Sequence, residues 1–360
     1  MSERIKVGVV GPGALGSAAI REIQKMAGLE LVSVLAFSES KNGADAGILS
    51  GIDPIGVRVT NDFDGFLQSS ARTVIYTARD YGNFSSDEQI LALLKAGKNV
   101  ITPLPYMFVR ARGDEVADLF EAAGKEGGAT LFGSGITPGF FNERLLPLLS
   151  TVTNDVTHLH MQEMFNVEDL ANNIEMLKLF GFGSSREAAE ANVAMAMLAE
   201  NYLVQPLRYL TARLGLKIDR IERTNQLAEA PEDISTAAMT IPRGSVGSVS
   251  YAWTAFVDGK PFYTIEVFWY LGKRMRPKIA TADDFWTLTI EGRPSLRVLI
   301  ESKASIAQNL KMIPGDPTPP GYYMSVVAML QAVPLVTSAA PGLLLPAMPE
   351  VHWTPAAASA

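Results

Sequence analysis

The sequence predicts an α/β fold, in which an N-terminal Rossmann domain with a doubly wound parallel sheet precedes a C-terminal α+β domain. Strand and helix patterns alternate from residue 3 to about 134, as in sheets whose parallel strands are joined by helices. Hairpin patterns appear only after residue 150, and 360 residues are enough for two cores. We therefore predict a dinucleotide-binding domain over residues 1–150 and a substrate and dimerisation domain over 151–360. For the C-terminal segment, packing against the first domain is an open alternative.

The elements of the first domain follow from apolar periodicity and from glycines that end helices. Gly97 stops the second predicted helix, and Gly124 is expected to cap the third. The predicted strands cover residues 5–10, 31–36, 73–76, 99–102 and 129–133, and the predicted helices cover 17–26, 87–96 and 114–124.

The second domain combines one long helical region with consecutive strands. Residues 156–164 alternate like a strand, and residues 185–214 are rich in Ala, Met and Leu, which is typical of a helix. Two hairpins are predicted, 248–257 with 262–270 and 285–290 with 295–300, because turn residues separate their strands.

Composition excludes several functional classes. The formal net charge is −7, which argues against a nucleic-acid or anionic-membrane partner. The expected partner is a small-molecule substrate. The chain has no cysteine, which excludes disulfides and thiolate catalysis. The lack of disulfides fits a cytoplasmic protein. Three prolines and Gly342 interrupt the hydrophobic stretch 325–348, and Pro349 follows it, so we expect no membrane span and a cytoplasmic location.

A Gly-x-Gly-x-x-Gly motif follows the first strand directly. Gly11 allows the tight turn, Gly13 lets the backbone approach a pyrophosphate, and Gly16 lets the helix pack closely on the strand. Strand, loop and helix occur in the order that dinucleotide binding requires, so we predict a nicotinamide cofactor. The cofactor-binding residues in this loop are Gly11, Pro12, Gly13, Ala14, Leu15 and Gly16.

The residues after the second strand indicate which cofactor is bound. An acidic side chain at this point favours NAD, whereas hydroxyl and basic groups accommodate the 2′-phosphate of NADP. Ser38, Ser40 and Lys41 favour NADP(H), while Glu39 keeps NAD(H) open as a ribose-binding acid.

Further candidates stand at the carboxyl ends of the later strands, where ligands of such sheets bind. The loop 133–139 holds three glycines and a proline, which indicates a shaped backbone that lines a pocket; a domain hinge is the alternative. Beyond the first loop, the predicted cofactor contacts are Thr77, Thr102, Pro103 and Gly135. The predicted substrate contacts are Leu104, Pro105, Thr137, Pro138, Phe140 and Phe165.

Three motifs together carry a family resemblance: residues 11–16, the strand 97–103 and the loop 133–139. They resemble the dihydrodipicolinate-reductase-like oxidoreductases. Residues 181–183, 333–334 and 340–342 are similar to actinobacterial relatives in the branch of 2,4-diaminopentanoate dehydrogenase and native amine dehydrogenases. The resemblance implies a Rossmann domain, a substrate domain that covers the nicotinamide, a homodimer, and amine dehydrogenase chemistry.

One departure from that pattern concerns the chemistry. Amine dehydrogenases of this branch carry a glutamate after the strand at 99–102, whereas this chain has Leu104-Pro105-Tyr106. We predict hydride transfer to or from C=N or C=O of a small, largely apolar ketone, imine or amine, with reductive amination as the leading version. A carbonyl or enone reductase that does not use ammonia is the first alternative, and a non-catalytic dinucleotide-binding protein is the second.

Two side chains are candidates for the proton donor that a reduction requires. Tyr106 follows a proline-stiffened strand end, and Glu163 lies on the first strand of the second domain, where burial would suit it to donate near neutral pH. A pocket wall and a surface carboxylate are the respective alternatives. His158 and His160 share the opposite strand face without a third ligand, so no metal site is predicted.

Overall fold

The structure is a computed structural model that describes residues 3–80, 83–170, 174–307 and 318–351. It divides into two compact units, Met1–Phe140 with Tyr322–Ala347, and Phe141–Gly321 with Met348–Ala360. The division thus falls after Phe140, before the predicted boundary at residue 150, and a C-terminal segment belongs to the first unit. The assignment of cofactor and substrate roles to the two domains stays a prediction.

The helices and strands are numbered in chain order. The strands are β1 (Ile5–Val10), β2 (Leu29–Leu35), β3 (Val59–Thr60), β4 (Thr73–Tyr76), β5 (Asn99–Thr102), β6 (Thr130–Gly133), β7 (Asn154–Asn166), β8 (Arg220–Glu229), β9 (Ile234–Ser235), β10 (Thr240–Ile241), β11 (Val246–Val257), β12 (Lys260–Tyr270), β13 (Asp284–Arg293), β14 (Leu296–Ser302) and β15 (Gly342–Leu344). The helices are α1 (Ala14–Ile23), α2 (Ala46–Leu49), α3 (Phe63–Leu67), α4 (Asp87–Lys95), α5 (Asp114–Gly127), α6 (Leu146–Ser150), α7 (Ile174–Leu179), α8 (Arg186–Glu190), α9 (Val193–Arg213), α10 (Pro320–Gln331) and α11 (Val333–Ser338).

The first unit is built on a parallel sheet with the strand order β15-β6-β5-β4-β1-β2-β3. Strands β4, β5 and β6 are buried along their whole length, as expected where both faces of a parallel sheet are covered. The predicted Rossmann fold is confirmed. The edge strand β15 comes from the C-terminal segment and pairs in parallel with β6.

Two helix ends in this unit differ from the sequence-based expectation. Helix α1 begins at Ala14, directly after the glycine-rich turn, and not at Ser17. Helix α5 continues past Gly124 and ends at Gly128, which adopts the left-handed conformation with φ 67°. Gly124 has a packing role instead, because a Cβ atom there would lie 2.9 Å from the Cα atom of Gly342.

The second unit contains a six-stranded mixed sheet with the order β14-β13-β7-β12-β11-β8. Both predicted hairpins form, and β7 inserts between them, parallel to β12 and antiparallel to β13. The predicted α+β architecture is therefore confirmed. Trp253, Trp286 and Tyr263 are among the largest fully buried side chains. Among the described residues, no helix is both long and apolar enough to cross a membrane.

Candidate dinucleotide site

The turn between β1 and α1 requires glycine at two positions. Gly11 has φ 84°, and a Cβ atom there would lie 2.4 Å from the backbone nitrogen of Ala78. A Cβ atom on Gly16 would lie 2.3 Å from the carbonyl oxygen of Gly11. Real Cβ atoms do not approach backbone this closely, so both glycines are needed to bring helix, turn and strand together.

Gly13 differs from its two neighbours because open space surrounds it. A Cβ atom there would meet nothing within 4 Å, and its backbone is extended. Gly13 is the N-cap of α1, which has no side-chain cap and no acidic residue in its first turn. The first N–H groups of a helix lack intrahelical acceptors and lie at the positive end of its dipole. An exposed, uncapped turn of this kind fits a pyrophosphate.

The remaining residues of the turn take up distinct positions. Pro12 is buried, Gly13 and Ala14 are exposed, and Leu15 is half-buried. The exposed part of the turn is therefore Gly13 and Ala14, at the start of α1, and contact of this turn with a cofactor stays a prediction.

The segment after β2 lies beside this turn. The Nζ atom of Lys41 donates to the carbonyl oxygen of Pro12 at 2.8 Å, and the hydroxyl oxygens of Ser38 and Ser40 are 2.7 Å apart. The carboxylate of Glu39 accepts a hydrogen bond from the side-chain amide of Asn61. The structure thus places a cation at the glycine-rich turn and two neighbouring hydroxyls in the same short segment.

Thr77 and Thr102 hold backbone at the ends of β4 and β5. The Thr77 hydroxyl donates to the carbonyl oxygen of Gly11 at 2.9 Å, and the Thr102 hydroxyl donates to that of Tyr76 at 2.8 Å. Thr102 is fully buried, and its hydroxyl also accepts from the Leu104 amide at 3.2 Å. Both side chains shape the predicted site through backbone contacts, and their contact with a cofactor stays a prediction.

The glycine loop after β6 folds back on itself. A Cβ atom on Gly139, whose φ is 125°, would lie 2.4 Å from the amide nitrogen of Gly135. A Cβ atom on Gly135 would be 3.5 Å from Pro103, so these two predicted cofactor residues are neighbours. Among the predicted substrate contacts of this unit, Leu104, Pro105 and Pro138 are buried, and Thr137 and Phe140 are half-buried.

Tyr106, one of the two predicted proton donors, is buried and hydrogen-bonded. It is 2% exposed, and its hydroxyl donates to the Oδ1 atom of Asp87 at 2.7 Å. Burial, together with the hydrogen bond to Asp87, raises the pKa of the Tyr106 phenol far above its ordinary value. The phenol therefore keeps its proton and donates it in a hydrogen bond to Asp87, and a role of Tyr106 as the proton donor of the reaction stays a prediction.

Glu163 lies on the core-facing side of β7 in the second unit. Only 6% of it is exposed, and its Oε2 atom accepts a hydrogen bond from the indole nitrogen of Trp286 at 3.1 Å. The half-buried ring of Phe165 packs edge-on against Trp286, with ring centroids 5.3 Å apart. A predicted acid and a predicted substrate contact therefore meet at one tryptophan.

The two histidines of β7 lie on the opposite face, as predicted. The Nε2 atom of His158 is 2.9 Å from the Thr264 hydroxyl, and that of His160 is 3.3 Å from a carboxylate oxygen of Glu266. Burial, together with the neighbouring His160, lowers the pKa of His158. The described residues contain no group of three or more side chains suited to hold a metal ion.

Sequence reasoning missed a buried polar pair at the start of the second unit. Asn142 and Glu143 lie in a π-helical turn, Phe141–Leu145, and both are fully buried. The Tyr263 hydroxyl donates to the Oδ1 atom of Asn142 at 2.6 Å. Burial, and then the charge of Glu143, raises the pKa of Tyr263. The available signal was a carboxylate between Phe141 and Leu145, directly after the glycine loop.

Comparison with known proteins supports the resemblance. Residues 5–101 match the family model of the dihydrodipicolinate reductase N-terminus. An amine dehydrogenase from Streptomyces virginiae is 28% identical over 309 residues, which cover 82% of this chain and 84% of that protein.

Solved structures share the fold. The amine dehydrogenase from Mycobacterium smegmatis superposes with a TM-score of 0.77 at 22% identity, and the match covers 96% of this chain and 97% of that one. The scyllo-inositol dehydrogenase from Lactobacillus casei, solved with bound NAD(H) and scyllo-inositol, has a TM-score of 0.54 at 13% identity, with 92% and 90% covered.

Three observations agree with the resemblance: the glycine-rich turn, the match of the N-terminal segment to the family model, and the similarity to amine dehydrogenases along most of the chain. The resemblance inferred from the motifs is confirmed: this chain is an NAD(P)-dependent oxidoreductase similar to amine dehydrogenases, with an N-terminal segment of the dihydrodipicolinate reductase type.

Proposed function

We propose that this protein is an NADPH-preferring oxidoreductase that interconverts a small, largely apolar ketone and the corresponding amine. The observation that carries the proposal is the uncapped start of α1, with open space at Gly13 and the ammonium group of Lys41 beside it. Similarity to an amine dehydrogenase over 82% of the chain supports the amine chemistry.

The preference for NADPH is argued from the charges after β2. A 2′-phosphate needs a cation and hydroxyl donors, which Lys41, Ser38 and Ser40 supply beside the turn. Glu39 is the acid that would bind the ribose hydroxyls of NAD, but one of its carboxylate oxygens already accepts a hydrogen bond from the side-chain amide of Asn61. NADH is therefore the weaker ligand in this proposal.

The first test replaces Lys41. We expect Lys41→Ala to raise the Kd for NADPH about tenfold, which is about 1.4 kcal/mol, with little change for NADH, because only NADPH carries the 2′-phosphate. Fluorescence titration of the reduced cofactors measures both constants. Lys25→Ala is the matched control, since Lys25 is an exposed lysine that pairs with Glu22 on α1. Equal effects on both cofactors would mean that Glu39, and not Lys41, binds the adenosine ribose and distinguishes the two cofactors.

Reduction needs a hydride and a proton. The nicotinamide ring supplies the hydride when the reduced cofactor is bound. We assign the proton to Glu163, a buried side chain that Trp286 orients through its indole N–H; as a carboxylic acid it would give up its proton to the substrate and become a carboxylate. Leu104, Pro105, Pro138 and Phe140, the predicted substrate contacts of the first unit besides Thr137, are apolar, which suits an uncharged substrate; Phe165 is the apolar candidate of the second unit.

A second candidate is a carbonyl or enone reductase that does not use ammonia. It is favoured by Leu104 and Pro105, which stand where amine dehydrogenases of the branch carry a glutamate. Oxidation of NADPH with a panel of small ketones, with and without ammonia, separates the two activities. Turnover that requires ammonia supports the amine version, and turnover independent of ammonia supports the reductase. Tight cofactor binding with no turnover across the panel would indicate a non-catalytic dinucleotide-binding protein.

A homodimer and a cytoplasmic location complete the proposal. Both rest on the family resemblance and composition, and light scattering after size-exclusion chromatography tests the first of them.

A further inference from the structure

A sheltered ion pair lies beside the carboxyl ends of β4 and β5. Arg112 ends the short 3₁₀ turn Val109–Arg112, and its Nη1 and Nη2 atoms donate to Oδ1 and Oδ2 of Asp87 at 3.0 and 2.5 Å. The side chains of Arg112 and Asp87 are 13% and 28% exposed. Two parallel hydrogen bonds fix the guanidinium in one orientation, more firmly than a surface ion pair would.

The guanidinium of Arg112 also holds two loops. Its carbon atom lies 3.6 Å from the centroid of the Phe84 ring, and the ring of Phe84 packs edge-on against Tyr106 at 6.2 Å. Phe84 belongs to the loop that follows β4, and Tyr106 belongs to the loop that follows β5. Since Asp87 accepts from both Tyr106 and Arg112, all four side chains form one cluster.

The backbone of Phe84 indicates that this contact is maintained at a cost. Its φ is 59°, in the left-handed region that bulky residues rarely adopt. Such a conformation persists where surrounding contacts hold it, and the stack of Arg112 on the ring is a contact of this kind.

The two loops lie on one side of the glycine-rich turn. In the sheet order, β2 and the Lys41 segment flank β1 on one side, and β4 followed by β5 flanks it on the other. A dinucleotide that crosses the carboxyl edge of such a sheet places its two nucleotide halves on opposite sides of the first strand. The adenosine half belongs with Lys41, so the nicotinamide half belongs with the loops that carry Thr77 and Pro103.

We propose that Arg112, through Asp87, Phe84 and Tyr106, is a positioning residue that aligns the loops after β4 and β5 for the nicotinamide half of the cofactor. The inference rests on the proposed use of a nicotinamide dinucleotide. It also gives Tyr106 a role that fits its buried hydroxyl, as a member of this cluster and not as an acid.

The test compares Arg112→Ala with Arg110→Ala. Arg110 lies in the same turn but is exposed and pairs with Asp114 and Asp118 at the surface, which makes it a matched control. Titrations use NADPH, NADH and adenosine 2′,5′-bisphosphate, which lacks the nicotinamide half. For Arg112→Ala we expect Kd to rise about tenfold for both dinucleotides and to stay unchanged for the bisphosphate, because only the nicotinamide side loses alignment.

Other outcomes overturn the proposal. Equal loss of affinity for all three ligands would mean that the mutation destabilises the first unit as a whole. Unchanged affinity for the dinucleotides would exclude the positioning role. If wild-type protein binds neither dinucleotide, the proposed function itself fails, and this inference fails with it.

A double-mutant cycle adds a readout that does not depend on one variant. If Arg112 acts through Asp87, Asp87→Ala and the double variant should weaken NADPH binding to the same extent as Arg112→Ala. Additive losses would contradict the proposed coupling. Arg112→Lys replaces Arg112→Ala if the latter does not fold. It is expected to show the same ligand pattern, because an ammonium group cannot make two parallel hydrogen bonds or the planar stack.

Discussion

Gly13→Asp is expected to weaken dinucleotide binding on the order of a hundredfold, about 2.7 kcal/mol, without unfolding the protein. The new side chain has room, since a Cβ atom at Gly13 meets nothing within 4 Å and the backbone there is extended. Asp is also a better N-cap than Gly by a few tenths of a kcal/mol. Its carboxylate would take the N–H groups of the first turn of α1 and repel the pyrophosphate.

Two measurements check this expectation. Thermal denaturation should show an unchanged or slightly higher Tm for Gly13→Asp, while titration with NADPH shows the loss of affinity. Gly28→Asp is the control, because Gly28 is exposed and equally free of neighbours but lies away from the turn. Gly16→Ala should instead lower Tm, because its Cβ atom would lie 2.3 Å from the carbonyl oxygen of Gly11. Normal NADPH affinity in Gly13→Asp would rule out this turn as the pyrophosphate site.

Glu163→Gln is expected to lower turnover on the order of a hundredfold while leaving cofactor affinity intact, as is typical when a general acid is removed. Glutamine keeps an oxygen that accepts the indole N–H of Trp286, so the packing around the residue is retained. The substitution therefore removes the acidic carboxyl group and keeps an acceptor for Trp286. Steady-state assays with the active ketone, together with NADPH titration, measure the two quantities separately.

The control for this variant is Glu222→Gln, an exposed carboxylate on β8 of the same sheet, for which we expect normal turnover. Trp286→Phe should give a smaller loss than Glu163→Gln, because it removes the hydrogen bond that orients the acid but not the acid. Near-normal turnover of Glu163→Gln would exclude Glu163 as the proton donor and favour water as the source.

Local sequence patterns were sufficient for the glycine-rich turn. Gly11 and Gly16 have conformational and packing demands that depend on residues close in sequence or on the adjacent strand, and the motif predicts them. The same reasoning placed Glu163 and the two histidines on opposite faces of β7, since side chains alternate along a strand. Motif and periodicity are local properties, so they carry over into the structure.

At other positions, contacts with residues distant in the sequence decided the structure, and the local pattern did not predict them. Gly124 resembles a helix stop, yet α5 continues past it because the distant β15 packs there. Tyr106 resembles an available phenol in the sequence. In the structure its hydroxyl donates to Asp87, and the guanidinium of Arg112 lies over its ring. In the sequence, nothing distinguishes Asp87 or Arg112 from the other charged residues of the chain.

From the sequence alone follow the two-part α/β architecture, the glycine-rich turn after β1 and the group of Ser38, Ser40 and Lys41. These depend on periodicity, backbone freedom and charge, which are properties of short segments. Only the tertiary structure decided that β15 completes the first sheet, that Glu163 is buried against Trp286, and that Tyr106 belongs to the Arg112 cluster. Burial and hydrogen-bond partners depend on residues far apart in the chain, and a single sequence does not say which of them will meet.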